Sequence, residues 1–454
     1  MASGVDAIRG AVQGLMPQAQ SELAELVAFK SVADPKQFPP EECEQAAQWV
    51  VDAFQGVGFQ ELAAHPTPDG SKAVVGSRPG PDGAPTVLLY CHYDVQPPLD
   101  EAAWQTPVWE LTEKDGRWYG RGAADCKGNI VMHLAALRAL ADDLPCSVKL
   151  VAEGSEEQGT GGLEAFVPGN ADLLRADAIL VCDTGNFAVG VPAVTTSLRG
   201  LANVVVSVNT LSSSMHSGMF GGPAPDALTV LVHMLATLHD DRGNTTVHGL
   251  DSGQTWPGVV YPPDQFRTDA NMLDGVELVG DGSVSDLLWA RPAVTILGID
   301  CPPVVGSSAA LQPSARARLN LRVPPGIGGQ EAQDALVAHL EAVAPWGAKV
   351  EIEREALGDP FTGATEGPAF EALTAAMQDA YGREATTEGQ GGSIPLCNVL
   401  QETFPDAEIM LMGVEEPQCL IHAPNESVDP SEIENMAVTE ALFLQRYADA
   451  KRGD

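Results

Sequence analysis

Basic residues are scarce in this chain: 25 lysines and arginines stand against 62 aspartates and glutamates, a formal net charge of −37 at pH 7. The acids are spread along the whole chain rather than gathered into a tail, so the surface repels phosphate backbones and anionic lipid. Nucleic acid and membrane surfaces are thereby excluded as partners, whereas divalent cations are attracted. Long apolar runs are also missing. None reaches the roughly 18 residues of a membrane span, and the N-terminus has no basic start followed by an apolar core. These absences predict a cytoplasmic protein. No two of the eight cysteines have C-x-x-C spacing, and several lie in apolar stretches, which predicts free, buried thiols.

What is present points to a sizeable folded protein. A length of 454 residues with 44% hydrophobic content is enough for two or three packed domains. Apolar residues recurring at three and four predict helices over 18–32 and 41–57. Short apolar runs follow, "KAVVGSRPG", "PTVLLYCHYDV", "SVKLVAEGSEE" and "DAILVCDTGN", with the helical "NIVMHLAALRALADDL" before the third. Strands buried on both faces and separated by helices predict an α/β domain with a mixed, largely parallel sheet flanked by helices. From Leu198 the pattern becomes the alternating strand "LRGLANVVVSVNT", then a helix, two more strands, a helix and "AKVEIERE". This reads as an inserted α+β two-layer domain. The predicted organisation is a first domain over 1–198, an insert over 199–361, and a return to the first domain over 362–454.

The chemistry-bearing residues fall where strands end, the position at which α/β sheets collect ligands. His92 and Asp94 follow the second run, Glu156 and Glu157 the third, and Asp183 the fourth. Asp125 sits in "GRGAADCKGN" just before a helix, where a helix N-cap is the competing reading. One acidic strand end is unremarkable. Crowding His92, Asp125, Glu157 and Asp183 together would be costly without something positive between them. His422, in "CLIHAPNE", extends the set to two imidazoles and three carboxylates with no thiolate, which suits Zn²⁺ or Mn²⁺. Five ligands exceed one open tetrahedral site, so two ions sharing a bridging carboxylate fit better. Alternation along an extended chain would then turn Glu157 toward the metal and Glu156 toward a water there, the arrangement amide hydrolysis requires.

Over nearly its whole length the sequence resembles the two-metal aminoacylase, carboxypeptidase G and carnosinase family of metallopeptidases, most of all its cytosolic dipeptidase branch. The resemblance is carried by "CHYDVQPP", "GRGAADCKGN", "EGSEEQGTGG", "CDTGNF", "LRG", "HSGMFGG", "DDRGN", "GGSIP" and "IHAPNE". It implies a zinc-exopeptidase-like catalytic domain whose insert serves as lid and dimerisation domain. It implies that His92, Asp125 and Asp183 hold one metal and that Asp125, Glu157 and His422 hold the other, with Asp125 bridging. Glu156 would be the general base, Asp94 would orient His92, and the Asp125–Cys126 peptide would be cis. His216, in "SSSMHSGMFGG", would stabilise the oxyanion from across a dimer interface. Arg322, in "LNLRVPP", would pair with a peptide's terminal carboxylate, which Gly391, Gly392 and Ser393 of "GQGGSIP" would approach through backbone N–H groups.

The protein so implied is a homodimeric dipeptidase acting on small peptides with two Zn²⁺ or Mn²⁺ ions per subunit, Co²⁺ being acceptable to the same ligands. The same machinery would serve an N-acyl-amino-acid deacylase or a desuccinylase of succinylated diaminopimelate. A non-catalytic peptide-binding scaffold on this fold should have lost a ligand or the base, and here every position is filled. Two departures bear on substrate choice. The segment "ALQPSARA" carries Gln312 where the family has isoleucine and Ala310 where a polar substrate contact is usual, and "GQGGSIP" lacks the basic residue of the related "REGGSIP".

Overall fold

The computed structural model describes residues 4–141 and 143–452. The chain forms two compact units: one takes in the chain up to Thr196, Gly363–Glu388 and the chain from Pro395 on, and the other takes in Ser197–Thr362 and Gly389–Ile394.

In the first unit the strands lie in the order Gln60–Pro66, Lys72–Arg78, Ser147–Glu153, Thr86–His92, Ala178–Cys182, Glu408–Met412 and Ala193–Leu198. The four from Ser147–Glu153 to Glu408–Met412 run parallel to their neighbours. Pairings outside them are antiparallel, which makes the sheet mixed. Each of the four early apolar runs is a strand, and Ala178–Cys182 is buried at every position. The strand Gln60–Pro66 carries no apolar run because it is a mostly exposed edge. Helices Gly4–Ala28, Lys127–Leu140, Pro368–Tyr381 and Pro430–Arg452 pack against one another beside the sheet. The last of these lies outside the predicted elements. Its Ile433, Met436, Ala437 and Phe443 are buried in the first unit's core.

The N-terminal helix runs Gly4–Ala28 rather than the predicted 18–32. Pro17 resembles a helix start, yet it lies inside the helix on an exposed face, where its missing N–H faces water. Burial of Ile8, Val12, Ala19, Leu23 and Leu26 along one stripe carries the helix through it. At the other end, Lys127 reaches in with Nζ 2.8 Å from the carbonyls of both Leu26 and Phe29, satisfying acceptors that the helix end leaves free.

In the second unit, strands Ala293–Asp300, Ser314–Val323, Gly200–Asn209 and Lys349–Gly358 form one antiparallel sheet in that order. Alternate residues of the central strands, Val204, Val206, Val208, Leu319 and Leu321, are buried with Leu231 and Met234 of helix Ala227–Ala236 and Leu336 and Leu340 of helix Gly329–Ala342. On the edge strand Ala293–Asp300, Ile296, Leu297 and Ile299 stay exposed. Among the described residues no helix is long and apolar enough to cross a membrane. All eight cysteines are free, but burial is not uniform: Cys43 is half-buried and Cys301 exposed, the latter following the exposed end of that edge strand.

Candidate functional site

Parallel register brings the carboxyl ends of neighbouring strands together. His92 pairs with Glu153 and Tyr90 with Val181, so the residues just beyond Glu153 and Cys182 flank His92. Asp125 arrives from the loop preceding helix Lys127–Leu140, and its peptide bond to Cys126 is cis. That loop is gripped by Glu426. One carboxylate oxygen of Glu426 accepts the N–H groups of Ala124 and Asp125 at 3.1 Å each, and the other accepts Gly122 N–H at 3.1 Å and the Arg121 guanidinium at 2.7 Å.

The five candidate ligands converge as two overlapping groups. His92 Nε2 lies 2.9 Å from Oδ1 of Asp125 and 2.9 Å from Oδ1 of Asp183. His422 Nε2 lies 3.0 Å from Oδ2 of Asp125 and 3.0 Å from Oε2 of Glu157. Asp125 thus presents one oxygen to each group, as a bridging carboxylate does. His92 Nδ1 lies 3.0 Å from the backbone carbonyl of Asp94, to which it donates, so a neutral imidazole has only a lone pair left on Nε2. A proton or a cation must therefore stand between Nε2 and the two carboxylates. The electrostatics agree. Hydrogen bonds to Asp125 and Glu157 hold His422 up to about 11, while burial and the charge of Asp125 raise Glu157 to about 7. Burial pushes Asp125 upward too, but its bonds to His422 and His92 win and keep it below the usual carboxylate range. Nitrogen and oxygen donors paired in this way fit two divalent cations.

Glu156 and Glu157 do not lie on extended chain. They open a single 3₁₀ turn, Glu156–Gln158, in which successive side chains diverge by about 120° rather than by strand alternation. The outcome is still a division of roles. Glu157 bonds Gln96 and His422, whereas the Glu156 carboxylate has no hydrogen-bond partner among the described residues. Burial, then the charge of Asp183, raises Glu156 well above the ordinary range. Asp94 is central to this turn. Its carboxylate is 3.4 Å from His92 Nδ1, farther than its own backbone carbonyl, and its two oxygens accept the N–H groups of Glu156 and Glu157 at 3.1 Å each. It holds the turn at least as directly as it orients His92.

The second unit holds the remaining predicted residues. His216 is exposed, paired with Ala310, and its Nδ1 accepts Gly218 N–H at 3.0 Å, which leaves the proton on Nε2. Gln312 is bound through its backbone N–H to Asp226 at 2.5 Å. Arg322 is partly buried, and burial lowers its pKa. Beside it stands Arg199, assigned no role from the sequence although it lies in the quoted "LRG". Arg199 is 7% exposed, has no hydrogen-bond partner at Nε among the described residues, and is lowered to about 10 by burial and then by the charge of Arg322. No carboxylate pairs with either arginine among the described residues. The loop carrying Gly391, Gly392 and Ser393 lies over Arg199: Gln390 accepts the Arg199 N–H at 3.1 Å, and a Cβ on Gly391 would fall 2.7 Å from the guanidinium. A side chain at Gly391 would therefore have to displace the end of the Arg199 side chain.

Three groups that the structure adds to the candidate sites were not singled out in the sequence. Glu426 stands in the quoted "IHAPNE", and Arg199 precedes a glycine in a strand-to-strand turn. Glu415, whose carboxylate lies near those of Asp125 and Asp183, follows the apolar run "AEIMLMGV". The strand-end rule that selected Asp183 would have selected Glu415 as well.

Comparison with known proteins accords with this geometry. Residues 88–446 match the model of Peptidase family M20/M25/M40. The cysteinylglycine-S-conjugate dipeptidase of Corynebacterium striatum is 44% identical over 434 residues, covering 94% of each chain. The Beta-Ala-His dipeptidase of Rattus norvegicus is 27% identical over 407 residues, covering 84% of this chain and 80% of the relative. The crystal structure of human carnosine dipeptidase 1 shares the fold, with a TM-score of 0.80 over 99% of both chains at 23% identity.

Proposed function

The chain belongs to Peptidase family M20/M25/M40, and from that premise we propose that it is a cytoplasmic metallodipeptidase hydrolysing the amide bond of small peptides. The observation that carries this reading is Asp125, which offers one oxygen to the His92–Asp183 pair and the other to the His422–Glu157 pair. We assign two Zn²⁺ or Mn²⁺ ions to these groups, His92, Asp125 and Asp183 serving one and Asp125, Glu157 and His422 the other. When bound, the ions lower the pKa of water and polarise the scissile carbonyl.

The chain's own residues do the rest. Glu156, unpartnered and raised by burial, removes a proton from the attacking water and later delivers it to the leaving amine. Asp94 keeps that carboxylate in place through the backbone of its turn. His216 donates its Nε2–H to the developing oxyanion. Arg322 and Arg199, lacking carboxylate partners, take the peptide's terminal carboxylate in bidentate fashion, with the Gly391–Ser393 backbone closing over it. A second copy of the chain docks on the second unit, where Ile296, Leu297 and Ile299 expose apolar surface on a free strand edge.

The test is metal analysis of the purified chain followed by amine release from a panel of dipeptides, S-conjugated cysteinylglycine first, with N-acyl amino acids beside them. Glu156→Gln should keep its metal and lose about 10³-fold in kcat. Wild-type turnover in that variant would remove Glu156 from the mechanism, and turnover of acylated amino acids alone would move the substrate class.

A further inference from the structure

Glu415 belongs to none of the motifs that carry the family resemblance, yet the fold delivers it to the metal centre. The parallel pairing of Glu408–Met412 with Ala178–Cys182 continues beyond both strands: Gly185 bridges Glu415, and Asn186 N–H donates to the Glu415 carbonyl at 2.8 Å. A Cβ on Gly185 would lie 2.0 Å from that carbonyl, so the approach depends on glycine. From the other side, Val414 N–H donates to Asn129 Oδ1 at 3.0 Å. Glu415 is thereby held beside Asp183, at the carboxyl end of the adjacent parallel strand.

Glu415 is 5% exposed, its Oε1 is buried without a hydrogen-bond partner among the described residues, and its carboxylate oxygen lies within 4.8 Å of oxygens of both Asp125 and Asp183. A third buried carboxylate against two others is strongly unfavourable unless a cation meets it. The charge count calls for one. Two divalent cations bring four positive charges, and Asp125, Glu157 and Asp183 neutralise three. Glu156 gains and loses a proton in each turnover and so cannot be the permanent fourth.

We propose that Glu415 is a further acidic group of the metal centre, facing the cation served by His92, Asp125 and Asp183 and making that position the tighter of the two. The proposal rests on the reading of the centre as one that holds two divalent cations. It is tested with the metal-free full chain, titrated with Zn²⁺ against a chromophoric chelator, in wild type and in Glu415→Gln. Wild type should bind two ions of unequal affinity. Glu415→Gln should weaken the tighter one about 10- to 100-fold, while the melting temperature of the metal-free chain stays level or rises, since an uncompensated charge has been removed. Glu415→Asp, which keeps the charge, should weaken it less.

Two ions bound with unchanged affinities in Glu415→Gln would overturn the proposal while leaving the metallopeptidase reading intact. The same holds for a lower metal-free melting temperature with unchanged affinities, which would mark Glu415 as structural, and for equal losses in the Gln and Asp variants. A wild-type chain that binds no ion would overturn both.

Discussion

At their candidate sites the two units hold unbalanced charge of opposite sign. In the first, carboxylates crowd around two imidazoles, and the pairing of His92 and His422 with acids at 2.9–3.0 Å is tenable only with added positive charge. In the second, Arg199 and Arg322 stand together with no carboxylate to answer them among the described residues, and each is pushed below the ordinary arginine range. Both arrangements are unfavourable as they stand, because buried charge without a partner is poorly solvated. The difference in sign matches the two jobs proposed above, cations and water activation for the first unit and an anionic end of a substrate for the second. Such a split would let the reacting groups stay fixed while recognition is adjusted elsewhere, and the departures at Ala310, Gln312 and Gly389 all fall in the second unit.

The sharpest way to break this division is His216, a residue of the second unit given a role in the chemistry. His216→Ala should lower kcat about 10²-fold with metal content unchanged; an unaltered kcat would confine chemistry to the first unit. Mixing His216→Ala with Glu156→Gln chains should restore part of the activity if the histidine acts across a dimer, and no recovery despite verified subunit exchange would argue that it acts within its own chain.

A smaller effect is expected from the arginines. Hydrogen bonds to charged groups contribute about 1.5–3 kcal/mol, so Arg322→Ala should raise KM roughly 10- to 100-fold for a dipeptide with a free terminus, and Arg199→Ala should do likewise. Dipeptide amides should be nearly indifferent to both changes. If amides and free acids respond alike, the arginines do not read the carboxylate.

The smallest effect concerns a buried acid answered by a proton instead of a ligand. Glu388 is 6% exposed, and burial alone raises it to about 8 from the ordinary 4.5. The folded chain therefore holds a proton there that the unfolded chain releases, so this contribution to stability is complete below pH 4.5 and is lost as pH rises toward 8. Glu388→Gln should match wild type in melting temperature at pH 4.5 and exceed it at pH 8–9, by at most about 5 kcal/mol in stability. Parallel melting curves across that range would show Glu388 to be ionised in the fold.

Much of this was legible in advance for a specific reason. Apolar runs such as "PTVLLYCHYDV" and "DAILVCDTGN" reflect strands buried on both faces, and the polar residue that ends each run has to lie at the ligand-collecting edge. The helix Pro430–Arg452 escaped notice because its buried face includes Glu432, Thr439 and Glu440, which break the apolar period. The edge strand Gln60–Pro66 escaped because exposure removes the pattern. The divergence of Glu156 and Glu157 was foreseen, but through strand alternation where the chain makes a 3₁₀ turn instead.

By itself, the order of residues determined which side chains are candidates for the chemistry and that they stand at strand ends, since burial of an apolar run and exposure of its polar terminus are local consequences of hydrophobicity. Only the tertiary structure decided the rest: that Asp94 spends its carboxylate on the backbone of the Glu156–Glu157 turn, that Glu426 grips the Asp125 loop, that Arg199 stands unneutralised beside Arg322, and that Glu415 joins Asp125 and Asp183. Those relations depend on strand order and register, which bring together segments up to about 300 residues apart, and no local pattern encodes such a meeting.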